Sequence, residues 1–201
     1  MKFELVKKVP IVEIGGKRCL VDTGYPDAFM SAKAGVQKFF GIPGLHFAGV
    51  QALKRYTKFD YYNNEITTSD DPIPLEGGET LPVEIRENCP WPGWLVKMTV
   101  GGVEGMRYID TGAEFSYVRN LSVQFPIVET ADECGWTKGP FKAPVRRVPC
   151  EFAGHQFEIL CGDANDNPEY VPPEGVIGYD FFANFTLVVD CVGGKVTFIK
   201  S

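Results

Sequence analysis

A strand, a Gly-Gly turn and a second strand ending in Asp-Thr-Gly occur twice in this chain. The first copy runs Val9-Pro10-Ile11-Val12-Glu13-Ile14, Gly15-Gly16, then Leu20-Val21-Asp22-Thr23-Gly24. The second runs Leu95-Val96-Lys97-Met98-Thr99-Val100, Gly101-Gly102, then Tyr108-Ile109-Asp110-Thr111-Gly112. Glycine pairs accept the positive φ of a two-residue hairpin turn, so each copy reads as a β-hairpin that delivers an aspartate at its end. Val96, Met98 and Val100 alternate with Lys97 and Thr99, the period of a half-buried strand. One Asp-Thr-Gly is only a turn signal. Two, each ending the same hairpin, suggest two half-sites that bring one carboxylate each to a shared centre. Paired carboxylates are what acid–base activation of a water molecule requires.

The duplication continues downstream. The second copy has Gly175-Val176-Ile177-Gly178, then Phe185 to Asp190, Gly193-Gly194 and Lys195 to Phe198. The first has Phe47-Ala48-Gly49, then Tyr56 to Asp60, Asn63-Asn64 and Glu65 to Thr67. Asn63-Asn64 and Gly193-Gly194 are expected as two-residue hairpin loops. Matching order and spacing across four elements indicate an internal repeat. The copies differ between the aspartate and the apolar-Gly segment: 68 positions from Asp110 to Gly178, only 27 from Asp22 to Gly49. The short gap fits one helix, Ser31 to Phe40, with Ser31 as N-cap and Gly41 as the stop. The long gap has room for strands at Ala143 to Phe152 and Gln156 to Leu160. It also holds a polar, Gly-containing segment, Thr130 to Ala143, that reads as a mobile hairpin or lid with Gly135 and Gly139 at its tip. Residues 68 to 93 join the copies and include a short strand, Thr80 to Ile85. The boundary is placed near Asp71, giving an N-terminal lobe 1–71 and a C-terminal lobe 72–201.

Composition removes several function classes. With 22 Gly, 15 Pro and abundant β-branched and aromatic residues, strands are favoured over helices. The net charge of −6 without a basic stretch makes nucleic acid a poor partner. No apolar run reaches membrane-spanning length and Met1 to Leu5 does not begin a signal peptide, so a cytoplasmic location and no membrane partner are expected. The six cysteines are scattered, and free thiols are expected. Two histidines, far apart, give poor support to a metal site or to His-assisted nucleophilic catalysis; no metal and no cofactor are expected.

These residues resemble the retropepsin-like aspartic proteases. The second copy carries the pattern in full: Tyr108-Ile109-Asp110-Thr111-Gly112-Ala113 with Ser116, a flap-length insert, Val176-Ile177-Gly178 and Asp180-Phe181-Phe182. The resemblance covers residues 94 to 198 closely and residues 9 to 67 loosely. It implies an all-β, acid-protease-like double-lobed β-barrel with pseudo-twofold symmetry and a few short helices. It implies Asp22 and Asp110 as the catalytic pair of an endopeptidase acting on a peptide or protein, in a monomer with one flap from the second lobe. Thr23 and Thr111 would hydrogen-bond across to the opposite loop, and Gly24 and Gly112 would let backbone N–H groups approach the carboxylates. Tyr25, Ala113 and Trp136 are the candidate substrate contacts; Tyr25, where the family pattern has a small residue, is expected to crowd the cleft or shape a subsite. The alternative reading is a catalytically inactive relative that binds peptides or proteins in the same cleft.

Overall fold

The computed structural model describes residues 1–87, 91–121, 124–135, 139–166, 169 and 171–201. Strand accounts for 54% of the described residues and helix for 8%, so the protein is mainly β. In the first half, β1 (Glu4–Val6) leads to β2 (Val9–Ile14), β3 (Lys17–Val21), β4 (Phe29–Ser31), α1 (Ala34–Phe40) and β5 (His46–Ala48). A 3-10 turn, Val50–Ala52, then precedes β6 (Tyr56–Asp60) and β7 (Glu65–Ser69). The second half comprises β8 (Glu79–Pro82), β9 (Glu84–Arg86), β10 (Gly93–Val100), β11 (Val103–Ile109) and β12 (Ser116–Val118). It continues with β13 (Ile127–Gly135), β14 (Gly139–Phe152), β15 (His155–Asp163), β16 (Val176–Ile177), α2 (Tyr179–Asn184), β17 (Phe185–Asp190) and β18 (Lys195–Lys200).

Both Asp-Thr-Gly hairpins form as expected. Ile14 pairs with Lys17 and Val100 with Val103, and all four turn glycines have positive φ. Neighbouring strands are ordered β2-β3-β5-β4 in the first half and β10-β11-β16-β12 in the second. In each case the strand ending at the aspartate runs parallel to the short strand that ends before Gly49 or Gly178. The second half inserts β13, β14 and β15 into this pattern, and β14 turns back onto β10, closing six strands into a ring. A third sheet, β7-β6-β17-β18-β8, joins strands from both sides of Asp71 through the β6–β17 pair. Its inward face meets the ring in a dense aromatic layer: Phe152 lies within 4.7–5.4 Å, ring centre to ring centre, of Phe181, Phe185 and Phe198.

Four sequence expectations need correction. The helix begins at Ala34, not Ser31; Ser31 ends β4, and its Oγ bonds His46 Nε2 (3.1 Å) across the sheet. Gly41 does end that helix, at φ 68°. The Asn63-Asn64 and Gly193-Gly194 loops contain four residues, not two. Asp60 Oδ1 accepts the Asn63 N–H (3.0 Å) and Asp190 Oδ1 accepts the Gly193 N–H (2.8 Å). A side-chain acceptor thereby closes a wider turn, with positive φ only at Asn64 and Gly194. The strand expected over residues 80–85 is two strands, β8 on the third sheet and β9 on the edge of the ring. The lid expected at residues 130–143 is the end of a longer hairpin, β13–β14, in register from Glu129↔Val145 to Gly135↔Gly139, with a shift between Ile127 and Glu129.

Candidate active site

Each aspartate leaves its strand into a tight turn. The Tyr25 N–H donates to Asp22 O (3.1 Å) and the Ala113 N–H to Asp110 O (3.3 Å). The parallel strand behind each turn clamps it. The Asp22 N–H donates to Ala48 O (3.0 Å) and the Asp110 N–H to Ile177 O (2.9 Å). Beyond, the Val50 N–H donates to Tyr25 O (2.9 Å) and the Tyr179 N–H to Ala113 O (3.0 Å). Gly49 and Gly178 lie against these turns. A Cβ on Gly178 would stand 2.5 Å from Ala113 O, and one on Gly49 would overlap the carbonyl oxygens of Tyr25 and Asp27. Backbone occupies the side-chain space at both positions, so only glycine fits.

The threonines lock the two turns together. Thr23 Oγ1 donates to Ile109 O (2.7 Å) and accepts the Thr111 N–H (3.0 Å). Thr111 Oγ1 donates to Val21 O (2.7 Å) and accepts the Thr23 N–H (3.1 Å). Both threonines are 1% exposed, so all four bonds lie out of water. The carboxyls cross in the same way. Gly24 N–H donates to Asp22 Oδ1 (2.9 Å) and Gly112 N–H to Asp110 Oδ1 (2.8 Å). Yet a Cβ on Gly24 would stand 2.5 Å from Asp110 Oδ2, and one on Gly112 2.5 Å from Asp22 Cγ. Each carboxyl therefore rests on the other turn's glycine. Burial is the main force raising both pKa values; the charge of Asp110 adds to the rise at Asp22, while hydrogen bonds from Gly24 and Gly112 oppose it at Asp110.

A cleft opens over the pair. Asp22, Asp110, Gly24, Gly112 and Ala113 form its floor, and Leu20, Phe40 and Phe47 the first-half wall. Tyr108, Tyr117, Val171 and Val176 form the second-half wall. Glu133, Cys134, Gly135 and Phe141 of the β13–β14 hairpin also line it, and Cys134 packs against the apolar cluster of the first half. A groove lined by Pro26, Leu53, Ile85 and Val192 continues beyond Gly24, with Trp91 and Pro92 lining both.

Asp22, Asp110, Thr23, Thr111, Gly24, Gly112 and Ala113 thus come together as the repeat suggested. Tyr25 does not line the cleft. Its turn directs the ring into the first-half core, where it is 2% exposed, packs on Phe47 at 5.7 Å and donates through its hydroxyl to Asp27 Oδ2 (2.8 Å). Trp136 lies outside the described residues. Glu133 escaped the sequence reading because residues 130–141 look merely polar. The signal was its spacing from Ala131, which puts both on one strand face, and both are buried. Glu133 Oε1 accepts from the Phe115 N–H (3.2 Å) and Tyr117 hydroxyl (3.4 Å), and burial pushes the carboxyl up to about 8.

A pH effect on stability follows. The fold favours protonated Glu133, so the stability this provides is complete below pH 4.5 and is lost as pH rises through about 8. Asp22 and Asp110 act in the same direction above pH 3.8. The melting temperature is expected to fall across pH 4.5–8 and to fall less in Glu133→Gln; equal slopes in the two proteins would contradict this.

No protein-family model matches the chain, and no curated protein matches it. The reading of the site therefore rests on its geometry. Among the described residues no group of His, Cys, Asp and Glu is arranged to hold a metal ion, and no helix is long and apolar enough to cross a membrane.

Proposed function

We propose that this chain is an aspartic endopeptidase of the retropepsin-like kind, with Asp22 and Asp110 as its catalytic pair. The observation that carries the reading is the crossed arrangement of the two Asp-Thr-Gly turns. The carboxyl of Asp22, buried, and that of Asp110, half-buried, each rest on the other turn's glycine, and four threonine hydrogen bonds hold the turns together at the floor of a cleft with a hairpin over it. Like charges this close do not both ionise at low cost, so the pair keeps one proton over a wide pH range. The ionised carboxyl takes a proton from water as it attacks the peptide carbonyl, and the protonated carboxyl donates to the carbonyl oxygen. The β13–β14 hairpin serves as the flap, excluding water from the reacting groups. The equivalent strand order and clamping bonds of the two halves support a double-lobed barrel about an approximate twofold axis between Thr23 and Thr111. The first lobe supplies α1, not a flap. The binding-only alternative drew on Tyr25 crowding the cleft; with Tyr25 in the core, that objection is gone.

Incubation with a mixed peptide library at mildly acidic pH tests the reading. Cleavage that resists metal chelators and is blocked by peptides bearing a hydroxyl at the scissile position is the expected result. The rate is expected to fall toward alkaline pH, because ionising the second carboxyl removes the general acid. Both carboxyls are raised above 3.8, which extends activity to higher pH than an ordinary aspartate would allow. A flat rate from pH 4 to pH 9 would count against the mechanism.

One chain supplies both aspartates, so the active species is expected to be a monomer. Light scattering on the active fraction checks this; activity confined to a species of twice the chain mass would refute it.

A further inference from the structure

Among the described residues that line the cleft, Glu133 is a third carboxyl beside the aspartate pair. It is 8% exposed, and it lines the cleft between the hairpin and the second-half wall. The surfaces around it are apolar: Tyr117, Phe141, Val171 and Val176. The proton chemistry between Asp22 and Asp110 does not use it. Both of its hydrogen bonds fall on Oε1, and no described donor reaches Oε2.

Several other partly or largely buried carboxylates have cations of their own, while half-buried Asp180 accepts the Leu160 N–H instead. Asp60 has Lys58 at 3.0 Å, Asp190 has Arg55 at 3.2 Å, and Glu174 has Arg86. Glu133 has no ion pair among the described residues, and nearby Lys8 is directed to Glu114 (4.0 Å). The charges that do face Glu133, those of Glu114 and Asp110, are negative. A buried ionisable group without a counter-ion is costly to the fold, and such groups concentrate where a ligand completes them. The shape of the pocket narrows the ligand. Aromatic and aliphatic walls leading to a single carboxyl suit a side chain with an apolar stem and a cationic tip.

We propose that Glu133 makes the pocket under the hairpin a specificity subsite for a lysine or arginine side chain of the peptide. Bound there, the cation draws the proton off Glu133 and pairs with Oε2, while Oε1 keeps its bonds to Phe115 and Tyr117. The negative field of the aspartate pair and Glu114 favours the same cation and disfavours glutamate or aspartate at that position.

The inference rests on the cleft's taking a peptide, and the test separates the two. Peptides that differ only in carrying lysine, norleucine or glutamate at each residue around the scissile bond are compared by kcat/KM. At one position lysine is expected to exceed norleucine by at least about tenfold, and Glu133→Gln to erase most of that ratio. Glutamine keeps the size and the Oε1 acceptor, so the ratio reports the charge; Glu133→Asp, which retains a carboxylate, is expected to keep part of the preference. Norleucine equal to or better than lysine at every position would overturn the inference, as would a lysine preference that survives Glu133→Gln intact. The same series in non-cleavable form, with a hydroxyl replacing the scissile amide, is followed by calorimetry. Lysine-selective binding lost in Glu133→Gln, without cleavage by the wild type, would support the subsite and refute the peptidase reading. Unselective binding would overturn the subsite alone.

Discussion

Asp22→Asn and Asp110→Asn are each expected to lower peptide cleavage by at least about 10³-fold. Asparagine retains an oxygen for the Gly24 or Gly112 N–H, so the turn keeps its shape. What is lost is the one-proton state: a single carboxyl cannot serve as base to the water and acid to the carbonyl together. The two residues act as a unit, so the double variant is expected to be scarcely worse than either single. Stability should move the other way. Asp22 is buried and Asp110 half-buried, and the surroundings raise both pKa values, so replacing either removes a desolvation cost and a like-charge interaction. At neutral pH both single variants are expected to melt at or above the wild-type temperature. Retention of more than a tenth of wild-type kcat/KM in either would exclude the pair as the catalytic centre.

Thr23→Val and Thr111→Val are expected to cost roughly 2–4 kcal/mol each. Valine fills the threonine volume, so no cavity forms. The loss is one donor and one acceptor at a site 1% exposed. Without the Thr23 hydroxyl, Ile109 O and the Thr111 N–H have no partner; without that of Thr111, Val21 O and the Thr23 N–H have none. Serine keeps the hydroxyl and loses only a methyl group, about 1 kcal/mol. Urea denaturation of the valine and serine variants gives the comparison. The double valine variant is expected to cost less than the two singles together, because both act on one junction. Midpoints unchanged in both valine variants would mean that the threonines are not what joins the turns.

How legible the protein was depends on the range of the interactions involved. The Gly-Gly hairpins were readable because local rules specify them: period-two alternation in the strands and positive φ in the turn. Gly41 was readable as a helix stop for the same reason. Local rules also misled where a neighbour in space competed. Ser31 has the chemistry of an N-cap, yet His46 across the sheet takes its hydroxyl. Asn63-Asn64 and Gly193-Gly194 look like complete two-residue turns, but the carboxylates of Asp60 and Asp190 reach three residues ahead and widen the loops. Tyr25 follows Asp22-Thr23-Gly24 directly, and only the turn that Asp22 O closes decides that its ring enters the core.

The order of elements determined, from sequence alone, a mainly β chain built from a repeated hairpin, with two aspartates in equivalent places and an insert long enough for a hairpin in the second copy only. These properties follow from steric and solvation preferences acting over a few residues. The tertiary structure decided the rest. It set the carboxyl of Asp22 on Gly112 and that of Asp110 on Gly24, 90 and 86 positions away along the chain. It also turned Glu133 inward beneath the hairpin, beside that pair. Neither contact is encoded in local periodicity: each exists because threonine hydroxyls and strand registers far apart in sequence are satisfied only when the two halves meet.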